Sequence, residues 1–100
     1  MKITYTPQAI ADLIEVFGYL GDRDQASATR LETRVYEKVA RLAAQEFEGA
    51  ELQLRSGAVV RSWPVPPLRV YYQRHADELV IVRVYHQRRR PITKGTRKRR

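Results

Sequence analysis

The chain has 100 residues, 43% of them hydrophobic, no cysteine and a formal net charge of +8. That supports one domain with a modest core, and it excludes disulfide frameworks and thiolate zinc sites. The charge is confined: Arg88 to Arg100 (RRRPITKGTRKRR) holds eight Lys and Arg and no acid, while residues 1–87 carry eleven of each sign. A basic arm on a balanced body seeks an anionic partner.

The N-terminus MKITYTPQAI has no signal-like apolar stretch, and no run approaches the roughly 20 apolar residues that span a bilayer. The expectation is a soluble cytoplasmic protein without a membrane partner. Lys2 to Tyr5 reads as an opening strand. Thr6-Pro7 then starts a helix, with Thr6 as N-cap and Pro7 in the first turn. Ile10, Leu13, Ile14, Phe17 and Leu20 have the spacing of one buried face, and Gly18 is expected in a frayed last turn. Gly21 to Asp24 reads as a turn. A second helix is expected from about Asp24 to Gln45, with Ala28, Leu31, Val35, Val39 and Leu42 on its apolar stripe.

Phe47 to Gly57, with two glutamates and two glycines, reads as a loop. Three strands follow, at Ala58 to Trp63, Leu68 to Gln73 and Leu79 to His86. The three prolines of Trp63-Pro64-Val65-Pro66-Pro67 point to a sheet edge and a wide turn. The order β-α-α-β-β-β predicts an α+β fold, a helical hairpin packed on a small, mainly antiparallel sheet. Alternation along the strands places Val80, Val82 and Val84 under the helices. It leaves Arg61, Trp63, Arg69, Tyr71, Arg83 and Tyr85 on an open basic and aromatic face, unless a bulge inverts a strand.

The segment VVRSWPVPPLRVYYQRHADELVIVRVYHQRRRPI resembles the closing block of the RelE/ParE toxin superfamily, ParE-like branch. Its carriers are an arginine in the first strand of the block (Arg61), then Arg69, Val70 and Tyr72, then Ile81, Val84, His86 and Arg89. The first helix, TPQAIADLIEVFGYL, is similar to that family's opening helix. The resemblance runs to Ile92 and implies a toxin domain over residues 1–92, with 93–100 as a flexible basic tail. It also implies the toxin half of a type II toxin–antitoxin pair, neutralised by a cognate antitoxin. In the ParE branch the implied target is DNA gyrase; in the RelE branch it is messenger RNA cut on the ribosome.

The nuclease reading would draw on Arg61, Arg69, Tyr85, His86 and Arg88. The binding reading places target contacts on Arg61, Trp63, Arg69, Arg83, His86, Arg88, Arg89 and Arg90. Antitoxin contacts are expected at Leu13, Phe17, Arg61, Arg69 and Arg83, with weak nucleic-acid contact through the tail. Each of these has a plainer alternative. His86 would suit proton transfer or would cap a strand end, and the arginines would meet phosphate or partner carboxylates. Trp63 would pack at the sheet edge. Two histidines without cysteine or spaced carboxylates predict no metal, and the lack of a P-loop or dinucleotide fingerprint predicts no cofactor.

Overall fold

A computed structural model describes residues 1–87; the expected boundary at residue 93, the basic tail, and Arg88, Arg89 and Arg90 lie outside the described residues. The order is β1 (Lys2–Tyr5), α1 (Pro7–Arg23), α2 (Gln25–Ala43), β2 (Glu51–Gln53), β3 (Val59–Val65), β4 (Leu68–Arg74) and β5 (Glu78–His86). The strands form one sheet in the order β1-β5-β4-β3-β2. Every neighbouring pair is antiparallel except β1 and β5, which run parallel. This is the expected α+β architecture.

α1 begins as its sequence dictates. Thr6 Oγ1 accepts from the Ala9 N–H at 3.0 Å and itself donates to the Val82 carbonyl at 2.7 Å, so one hydroxyl caps the helix and ties it to β5. The expected four-residue turn is a single residue, Asp24. Its N–H still closes on the Leu20 carbonyl at 2.7 Å, while its carboxylate accepts from Ala26 and Ser27 and caps α2. The cap wins over Gly21, which stays helical.

Gly18 therefore lies inside the helix and not in a frayed end, with nothing within 4 Å of an added Cβ. Gly18→Ala is expected to raise stability by about 1 kcal/mol, the helix-propensity difference. Chemical denaturation measures it, and a loss would contradict the open space seen there.

The buried stripe of α1 is rotated from expectation. Ala9, Asp12 and Leu13 are buried, with Val16, Phe17 and Leu20 packed against the core. Ile10 and Ile14 are instead 48% and 68% exposed. The spacing of Ala9, Leu13, Val16 and Leu20 is as helical as the predicted one. The small Ala9, fully buried, and the pull of Asp12 towards β5 select it. α2 keeps its predicted stripe, Ala28, Leu31, Val35, Val39 and Leu42, all buried. Each of the larger side chains contributes about 1.5–3 kcal/mol of transfer free energy.

The sheet departs from prediction in three places. Within the segment read as a loop, Glu51–Gln53 forms β2, pairing Leu52 with Val60. Its Glu51 is a poor strand signal, overridden by pairing with β3. Next, β3 runs on through Pro64 to Val65, and Pro66-Pro67, joined by a cis peptide, make a two-residue turn in place of a wide one. Pro64 is tolerated because the β2 pairing ends at Glu51 opposite Arg61, leaving that end of β3 at the sheet edge.

Finally, β5 carries a bulge: Tyr71 pairs with Arg83 but Tyr72 with Ile81, so Val82 is an extra residue. The core below the helices accordingly takes Leu79, Ile81 and Val84, not Val80, Val82 and Val84. With them lie Leu68, Val70, Tyr72 and Val65. A second apolar cluster without any helix residue covers the other face: Leu54, Val60, Tyr71 and Tyr85, with Leu52, Ala58 and Val82 beside them.

Candidate partner-binding surfaces

Of the predicted open-face residues, the structure keeps Arg69, Tyr71 and Tyr85 on the side away from the helices. Arg69 pairs across strands with Tyr85 and donates to Ser62 Oγ at 2.9 Å. Tyr71 and Tyr85 meet edge to face at 5.6 Å, both buried. Burial pushes the Tyr71 phenol up, with Arg69 opposing it. This is a packed aromatic layer, not an open platform.

Arg61 and Trp63 are corrected to the opposite face. They share parity along β3 with Val65, which is in the helix-side core. Trp63 stacks at 4.3 Å on Phe47, in the segment that follows α2. Arg61 donates to the Gly49 carbonyl at 2.8 Å and lies 3.6 Å from Glu48. Glu48 is the hub here. It accepts from the Tyr72 hydroxyl at 2.6 Å and from two Arg74 nitrogens at 3.0 and 3.1 Å. Those Arg74 hydrogen bonds, with the Tyr72 bond, hold its carboxyl below the usual range although burial opposes them. Burial, then the bond to Glu48, pushes the Tyr72 phenol up.

The Tyr72 hydroxyl also accepts from the Gly49 N–H at 2.8 Å. A Cβ on Gly49 would stand 1.8 Å from the Ser62 carbonyl oxygen, so the loop approaches β3 closer than any side chain permits.

Arg83 is engaged too. Its Nε and Nη2 donate to the two Asp12 oxygens at 2.9 and 3.0 Å, and the Val84 backbone N–H donates to Asp12 Oδ2 at 2.9 Å. β1 pairs with β5 only as far as Ile81, so Asp12 satisfies the strand edge that β1 leaves uncovered. The Arg83 guanidinium also lies 4.6 Å from the centre of the Tyr85 ring. These are architectural roles, which tie the Arg61 and Arg83 guanidiniums to partners within the chain.

His86 ends β5 opposite Leu68 and lines a shallow cavity with Glu15, Val16, Tyr19, Leu20 and Pro67. It therefore stands on the helix side, while Tyr85 points into the opposite cluster. The structure does not bring the two together.

Leu13 and Phe17 line a groove between the helices with Tyr5, Ile10, Ile14, Glu32 and Tyr36. Tyr36 is 47% exposed and meets Tyr5 edge to face at 6.4 Å. Burial first, and then Tyr36, pushes the Tyr5 phenol up to about 12. The period of α1 could have signalled this face: two isoleucines four residues apart form a stripe beside the buried one. Asp12, Glu48 and Gly49 had no local signal, because their partners are 71, 26 and 23 residues away. Among the described residues no group of His, Cys, Asp and Glu is placed to hold a metal ion, and no helix is long and apolar enough to cross a membrane.

The fold is that of a solved structure described as the chromosomal ParDE TA system from P. aeruginosa. The TM-score is 0.69 at 20% identity, over 86% of this chain and 95% of that one. A comparison with curated proteins finds no match. The family described as ParE toxin of type II toxin-antitoxin system, parDE, matches residues 3–91. The chain belongs to this ParE toxin family.

Proposed function

We propose that this chain arrests growth by binding DNA gyrase and is neutralised by a cognate antitoxin seated in the groove between α1 and α2. The observation that carries the reading is the family match over residues 3–91. The groove adds to it: Ile14 at 68% and Ile10 at 48% exposure are large apolar side chains presented to solvent on a rigid helical hairpin. Leu13 and Phe17 form the floor beneath them. An amphipathic helix laid in such a groove buries apolar area without remodelling the toxin. Arg69, beside Ser62 on the other face, supplies a cationic contact for a partner that wraps the sheet.

Binding is favoured over message cleavage by the arrangement of proton carriers. A nuclease needs acid, base and charge stabilisation converging on one phosphate. Tyr85 and His86 stand on opposite faces of the sheet, and Arg61 and Arg83 are held by Glu48 and Asp12. Expression of the chain is expected to arrest growth with altered plasmid supercoiling and a DNA-damage response. New codon-phased message ends with unchanged supercoiling would overturn the gyrase target in favour of ribosome-dependent RNA cleavage. Ile14→Glu places a carboxylate in the groove and is expected to weaken antitoxin binding about 100-fold, roughly 2.7 kcal/mol. Calorimetric titration reads the affinity, and an unchanged value would move the antitoxin off this face.

A further inference from the structure

The groove between α1 and α2 has apolar and aromatic walls with one exception. Beside Tyr5, Ile10, Leu13, Ile14, Phe17 and Tyr36, the single charged lining residue among those described is Glu32. Elsewhere Asp12, Asp24, Glu46, Glu48 and Glu78 each accept a hydrogen bond from a side chain of this protein. Among the described residues no ion pair or side-chain hydrogen bond holds the exposed Glu32 carboxylate. Its own helix gives it no cation. The positions three and four residues away are Ala28, Thr29, Val35 and Tyr36, whereas Glu37 has Arg34 and Arg41 at those spacings.

A wholly apolar helix laid in this groove would cover that carboxylate and strip its water without replacing it, which costs more than the contact gains. We propose that Glu32 selects the partner: the antitoxin helix that fills the groove sets a Lys or Arg against it, two turns from the apolar residue that meets Ile10. This rests on the reading of the groove as the antitoxin's seat. The spacing follows from the hairpin. Ile10 lies fourteen residues before Asp24 and Glu32 eight after it, so across the two helices they differ by six residues of rise, about 9 Å. On the partner, a step of seven residues covers about 10.5 Å and returns to the same face.

Charge also decides against a second copy of this chain as the occupant. A two-fold contact presents the same surface twice. It would bring two Glu32 carboxylates towards one groove whose lining holds neither Lys nor Arg, and like charges so placed oppose association.

Calorimetric titration of the purified cognate antitoxin into this chain and its variants tests the proposal. Glu32→Gln is expected to weaken binding about 10-fold and Glu32→Lys about 100-fold. Thermal unfolding of both free variants is expected to match the unsubstituted chain, because the carboxylate has no internal partner to lose; this separates lost affinity from lost fold. Each Lys and Arg of the antitoxin's groove helix is then replaced singly by Glu. One such change is expected to weaken binding to the unsubstituted chain and to restore about 10-fold on Glu32→Lys. If none restores it, the proposal is overturned. Glu32→Lys binding as tightly as the unsubstituted chain, while Ile14→Glu binds weakly, would overturn the role of Glu32 and leave the groove as the antitoxin's seat. Unchanged affinity for Ile14→Glu would remove the groove reading and this proposal with it. Sedimentation of the free chain as a dimer that Ile14→Glu dissociates would give the groove to a second copy and overturn the proposal by that route.

Discussion

Asp12→Ala is expected to lower the stability of the folded chain by about 3 kcal/mol, the low end of the cost of breaking a buried ion pair. The low end applies because the Arg83 side chain keeps 28% of its surface exposed, whereas Asp12 keeps 10%. The carboxylate has three donors, two from Arg83 and one from the Val84 backbone. Removing it strands a charge and a buried N–H together. For a domain of this size the loss corresponds to a fall in Tm of roughly 12 to 24 °C. Thermal unfolding of Asp12→Ala, Arg83→Ala and the double variant measures the coupling. Additive losses would show that Asp12 and Arg83 act independently, contrary to the bidentate geometry.

The second large effect is expected at Gly49. Gly49→Ala should destabilise by about 3 kcal/mol, the upper end for overpacking a closed site, because the new methyl meets backbone and not a yielding side chain. At 1.8 Å from the Ser62 oxygen, one of the two segments must move. Movement of the loop would pull the Gly49 N–H from Tyr72 and shift Glu48 relative to Arg61 and Arg74. The same substitution at Gly18 adds a methyl in open space on a helix, so the two changes should have opposite signs. A Gly49→Ala chain that unfolds at the same denaturant concentration as the unsubstituted one would contradict the close approach.

The parts of the fold legible in the sequence are those written locally. Thr6-Pro7 marks the start of α1, the stripe from Ala28 to Leu42 gives α2, and the alternation of Leu68, Val70 and Tyr72 sorts β4. What stays illegible depends on distant partners. The β5 bulge at Val82 brings Leu79 and Ile81, not Val80 and Val82, onto the core face beside Val84, and Val84 is also where Asp12 meets the strand. The rotation of α1 that exposes Ile10 and Ile14 belongs to the same contact. Alternation alone sets Arg61 and Trp63 on one face of β3 and leaves open which face that is. Glu48, from the loop after α2, supplies a carboxylate on the inner side, and Val65 at the same parity was the available clue. The two groove isoleucines, expected in the core, stand exposed, and two of the expected contact arginines, Arg61 and Arg83, also pair with carboxylates inside the chain.

The parallel pairing of β1 with β5 has a consequence for biosynthesis. Lys2 to Tyr5 leave the ribosome well before their register partners, Glu78 to Ile81. Closing so long a loop is slow compared with forming a helix hairpin, and it must await the last strand. A nascent chain that stops before Glu78 lacks the neighbour of β1, the guanidinium that meets Asp12, and the Val82 carbonyl that anchors the Thr6 cap. The helical hairpin then has only the part of the sheet formed by β2, β3 and β4 to cover. Translation products that stop short of β5 therefore lack the finished sheet, and the native surfaces are assembled only once β5 has been made.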